Sequence, residues 1–152
     1  MIRGIDHLNI VVADMARSLA FYTGQLGFTR TKEAWLEGEW IERIVGLRGV
    51  RAHAVFIVPP GGEPRIELLQ YHAPAGQTLP QNSAPNTIGL RHFALRVDDI
   101  AAVTAALRQA GVEIWGEPTR VPGGVVNFET GSKQLVYLLD PDGVIVELAE
   151  YG

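Results

Sequence analysis

The chain of 152 residues is 47% hydrophobic, with 13 basic and 17 acidic side chains spread without long runs and a formal net charge of −4. That length accommodates a domain with a real core, and the charge argues against a nucleic-acid backbone as partner, leaving a small molecule as the expected one. There are no cysteines, which excludes disulfides, thiolate metal sites and cysteine nucleophiles, so any metal must be held by imidazole and carboxylate.

In chain order, "IDHLNIVV" has the alternation of a strand and ends at Asp14, an expected helix N-cap, with Gly27 as the stop signal thirteen residues on. The stretch "AWLEGEWIERIVGLRG", residues 34–49, places Trp40, Ile41, Ile44, Val45 and Leu47 near helical spacing. It is expected either as a short helix packed on a sheet or as a lid over a cleft. Strands follow around His53 and around Glu67, separated by the turn "VPPGGEP". A polar, proline-dotted segment then leads to "LRHFALRVDDI", where the plan restarts. His92 precedes Asp99 by seven residues, as His7 precedes Asp14, and Gly111 closes the second helix. The second half ends in "DPDG" and the strand of Glu147.

The expected fold is therefore α+β, with βαβββ twice: residues 1–72, a linker over 73–89, and residues 90–152. No apolar run is long enough to span a bilayer and no export leader opens the chain, so neither a membrane nor secretion is expected and the cytoplasm is the default location.

Strand alternation separates the residues into two faces. Leu8, Ile10 and Val12 form one apolar face, leaving His7, Asn9 and Val11 opposite; Phe93, Leu95 and Val97 likewise leave His92, Ala94 and Arg96. Glu67 with Tyr71, and Glu147 with Tyr151, fall on mixed faces opposite apolar ones. A buried carboxylate is costly unless paired or bound to a metal. If the two sheets curve and pair, both histidines and both glutamates converge on a shared cleft, a donor set that suits nickel, cobalt, zinc, manganese or iron over calcium or magnesium.

The duplicated plan together with "DHLNIVV", "IELL", "LRHFALRVDDI" and "LLDPDGVIVEL" resembles the vicinal oxygen chelate superfamily, also called the glyoxalase, bleomycin-resistance and extradiol-dioxygenase superfamily. The resemblance covers essentially the whole chain. It implies one divalent ion per site held by His7, Glu67, His92 and Glu147, within one compact domain, and a homodimer whose site lies within one chain or between partners. Carboxylate at position 67 resembles the glyoxalase I-like lyase and isomerase branch, in which the ion stabilises an enediolate and a ligating glutamate, Glu147 or Glu67, moves the proton. The alternatives are an epimerase similar to methylmalonyl-CoA epimerase, an extradiol-type dioxygenase, and a non-catalytic protein that sequesters a toxin or antibiotic. Asn9, His53 and Arg96 are expected as substrate-binding residues. Arg96 would meet an anionic group or an acidic neighbour.

Overall fold

The computed structural model of the chain describes residues 3–80, 84–122 and 131–152; linker residues 81–83 lie outside the described ones. The chain divides into two compact units, Met1–Thr78 and Leu79–Gly152. In the first unit β1 (His7–Val11) leads into α1 (Met15–Leu19), which continues as a wider helical segment over Ala20–Gln25. Then come β2 (Thr29–Glu37), α2 (Glu39–Val45), β3 (Arg51–Val58) and β4 (Arg65–Ala73). The second unit runs β5 (His92–Arg96), α3 (Ile100–Gln109), β6 (Ile114–Arg120), β7 (Lys133–Leu139) and β8 (Ile145–Tyr151).

Each unit has a four-stranded mixed sheet, ordered β1-β4-β3-β2 in one and β5-β8-β7-β6 in the other. The first and last strands pair in parallel and the remaining pairs are antiparallel. A parallel pair needs a crossover, and the helix and two strands between supply it. The Asp14 carboxylate accepts from the Arg17 N–H and the Asp99 carboxylate from the Ala102 N–H, each satisfying an amide that the first turn leaves orphaned. Where the first helix ends, Gly27 takes φ 73°, a left-handed conformation that a residue with a Cβ adopts at a cost.

In β1 the side chains of Ile10 and, just beyond, Val12 are buried while His7, Asn9 and Val11 are exposed. Leu68 and Ile66 are buried on the corresponding face of β4, which α1 contacts. β5 alternates likewise, and α3 packs against β6 and β8 with Ile100 and Leu107 buried. Helices α1 and α3 thus take the uniformly apolar faces and leave the mixed faces with the histidines.

Within residues 34–49, Ala34–Glu37 extend β2 and only Glu39–Val45 are helical. Ile41 of that helix is buried in a cluster with Val50, Ala52, Ala54 and Leu69. Ala54 pairs with Leu69 two positions along from Phe56 and Glu67, so α2 packs on the same face of the sheet that carries Glu67. The "DPDG" segment turns between β7 and β8, with one oxygen of the buried Asp140 accepting from the Asp142 and Val144 amides.

Leu68→Ala removes a fully buried side chain and should destabilise the protein by about 2–5 kcal/mol. Ile44→Ala, at 71% exposure, should stay within about 0.5 kcal/mol; urea unfolding of both variants measures the contrast.

Candidate functional site

The register sets each glutamate beside a residue of the neighbouring first strand. Asn9 pairs with Glu67 across β1 and β4, and Ala94 with Glu147 across β5 and β8. Each histidine lies two residues earlier on that strand and so on the same face. The His7 Nε2 is 3.6 Å from Glu67 Oε2, and the His92 Nε2 is 3.4 Å from Glu147 Oε2. Each unit therefore presents one imidazole nitrogen and one carboxylate oxygen side by side.

The supporting contacts differ between the units. In the first, His7 Nδ1 lies 2.7 Å from Asp6 Oδ2, and Arg65 donates to both oxygens of the same carboxylate. The hydrogen bond from Arg65 and then that from His7 hold the Asp6 carboxyl below the usual carboxylate range, so it stays ionised and accepts the Nδ1 proton. With Nδ1 turned to Asp6, the Nε2 edge of the ring faces Glu67. The Asn9 amide donates to Glu67 Oε2 at 2.9 Å, and the Phe56 ring meets the His7 ring edge-on at 5.7 Å between centroids.

In the second unit the Lys133 ammonium donates to Glu147 Oε1 at 2.6 Å. Glu147 is 5% exposed, a burial that leaves an unpaired carboxylate strongly destabilised. Its hydrogen bond to Glu147 raises Lys133 above the ordinary lysine range, against the opposing effect of desolvation. Lys133 takes Oε1 and leaves Oε2 facing His92. The Lys133 ammonium also lies 5.6 Å from the centre of the Tyr151 ring, and the Arg96 guanidinium 4.9 Å from it. The Tyr137 ring lies against His92 at 5.1 Å.

The structure thus places His7, Asn9 and Glu67 together in one unit, and His92, Arg96 and Glu147 on one face of the other. His53 stands apart. It lies three residues from Phe56, which pairs with Glu67, so its ring is on the opposite face of the sheet. There its Nε2 meets Glu33 Oε1 at 2.6 Å and it stacks on Trp35 at 4.9 Å. Asp6 and Lys133 escaped the sequence reading. The signal for Lys133 was available: pairing outward from "DPDG" sets Tyr137 against Glu147 and Lys133 against Tyr151, on the face of the carboxylate.

Among the described residues no three His, Asp or Glu side chains come together as a metal-holding group, so the fit of an ion is judged pair by pair. Two ligands bound side by side to a first-row ion at about 2.1 Å stand roughly 3.0–3.4 Å apart, between a right angle and the tetrahedral angle. The observed 3.6 and 3.4 Å fit that spacing with small side-chain adjustment. The oriented His7 ring and the mixed nitrogen and oxygen donors also suit such an ion.

A family model described as Glyoxalase/Bleomycin resistance protein/Dioxygenase superfamily matches residues 4–148, and the chain belongs to that superfamily. It is 32% identical to the uncharacterized protein YaeR of Escherichia coli, over 98% of this chain and 97% of the relative. It is 29% identical to a probable lactoylglutathione lyase of Vibrio parahaemolyticus, over 96% of this chain and 89% of the relative. Among solved structures, a glyoxalase family protein from Bacillus cereus superposes with a TM-score of 0.82 at 29% identity, covering 99% of this chain and 95% of that one.

Lys133→Met leaves the Glu147 carboxylate buried without its ammonium and should cost about 3–5 kcal/mol in the metal-free protein. Adding Glu147→Gln should restore part of that loss, a coupling that a double-mutant cycle by urea unfolding reads directly.

Proposed function

We propose that the protein is a divalent-metal-dependent lyase or isomerase of the glyoxalase I kind, acting on a small substrate that carries two adjacent oxygens. The observation that carries this reading is the repeated pair: an imidazole nitrogen and a carboxylate oxygen 3.6 Å apart in one unit and 3.4 Å apart in the other, at matching register positions. Likeness over nearly the full chain to a probable lactoylglutathione lyase supports it.

In this reading His7, Glu67, His92 and Glu147 hold one ion, drawn from one chain or from two partner chains of a homodimer. When bound, the ion would polarise the two substrate oxygens and so acidify the hydrogen on one of the two carbons that bear them. Glu67 or Glu147 takes that proton on a carboxylate oxygen and returns it to the neighbouring carbon in an isomerisation; in an epimerisation the opposite face receives its proton from the other carboxyl group or from solvent. Asn9 orients Glu67 and Lys133 orients Glu147. Asp6 orients the His7 ring. The turned-away ring of His53 favours a glutamate over a third-strand histidine as the base. Among the described residues no helix is long and apolar enough to cross a membrane, and a small soluble metabolite in the cytoplasm is the proposed setting.

Chelated and reloaded protein should bind one first-row divalent ion per chain. His7→Ala and His92→Ala should each weaken that binding by more than about a hundredfold, and Asp6→Asn by roughly 10–100-fold, as expected for a group that orients a ligand. Two weak, independent ions per chain would refute a site built from both pairs. A binding-only role makes the opposite kinetic prediction: ligand recovered from the loaded protein in heavy water would be chemically unchanged and carry no deuterium at carbon, whereas turnover would yield isomerised or epimerised product, deuterated wherever the carboxyl proton exchanges before its return.

A further inference from the structure

The Tyr151 end of the second sheet gathers charge in a way that the metal reading does not use. Arg96 and Lys133 come from the two strands flanking β8, paired with Ala149 and Tyr151 respectively. Both cations settle on the Tyr151 ring, at 4.9 and 5.6 Å from its centre. Drawing two like charges onto one ring is unfavourable unless something compensates them. Glu147 compensates Lys133. Arg96 is exposed and makes no ion pair among the described residues, its guanidinium resting against the ring. The cluster therefore carries one positive charge in excess, on the face that also holds His92 and Glu147.

We propose that Arg96 and Lys133, held over Tyr151, form an anion subsite that receives a carboxylate or phosphoryl group of the substrate. This deepens the reading above by assigning the substrate class: a small vicinal-oxygen compound with an anionic substituent. A guanidinium held against a ring, with no carboxylate on it among the described residues, has N–H donors that match two oxygens of a carboxylate or phosphoryl group. Contact with the ring also restricts the Arg96 side chain before the ligand arrives, which lowers the ordering cost of binding. Lys133 links the subsite to the proposed centre, since the same ammonium touches Glu147 and overlies the ring. The anionic group thus docks beside the carbon that the carboxylate would deprotonate.

The test uses the metal-free protein, so its outcome is separate from that of the metal titration. Phosphoglycolate, glycolate and the uncharged glycolamide are titrated by nuclear magnetic resonance, following the Tyr151 ring and the Arg96 guanidinium. Phosphoglycolate or glycolate should bind saturably with shifts at both groups, and whichever binds tighter identifies a phosphoryl or a carboxylate preference. Arg96→Gln should weaken that binding at least about tenfold, as expected for loss of a charge-assisted contact. Arg96→Glu, at the same exposed position, should abolish it, and glycolamide should leave both resonances unmoved. Binding that survives Arg96→Gln, shifts confined to another part of the protein, or equal binding of glycolamide would overturn the proposal. Circular dichroism confirms that each variant is folded.

Discussion

A charge held out of water organises this protein. Glu147 sits in a strand whose residues 145–149 are all buried, where an ionised carboxylate must be compensated locally or give up its charge. Lys133 from the next strand supplies the compensation, and that requires β7 and β8 to pair in one register, which the "DPDG" turn sets. A slip of one residue would send Lys133 to the helix side and strand the carboxylate. Register, charge pairing and the position of His92 are thus mutually dependent.

The first unit solves the same problem with weaker means. Glu67 receives a neutral amide from Asn9 instead of an ammonium, and its side chain is less buried, 17% exposed against 6% for Glu147. Its polar support goes instead to the histidine, through Asp6 and Arg65. One unit therefore stabilises its carboxylate and the other orients its imidazole. Duplication supplied the geometry twice, and the surrounding side chains have given the two copies separate tasks.

The β1 and β5 alternation was readable because each helix-facing side is uniformly apolar and the opposite side is not, a local pattern of period two. The Asp14 and Asp99 caps were readable for the same reason, since a cap acts over three residues. His53 was harder. Its strand has apolar residues on both faces, "AHAVFI", because α2 covers the face of Ala52 and Ala54 while Val55 and Ile57 are buried on the other. With both faces apolar, alternation loses its contrast and the direction of the imidazole follows only from pairing with β4.

By itself the sequence determined the doubled βαβββ order, the strands that bear His7, Glu67, His92 and Glu147 and the side of each strand on which they lie. These are consequences of local periodicity and of turn and cap chemistry, which act within a few residues. Only the tertiary structure decided that Asp6 turns His7, that Lys133 takes one oxygen of Glu147 and leaves the other to His92, and that Arg96 comes to rest on Tyr151. Those contacts depend on strand register and side-chain rotamers. They join residues as much as 55 positions apart, and separations of that kind leave no periodic trace along the chain.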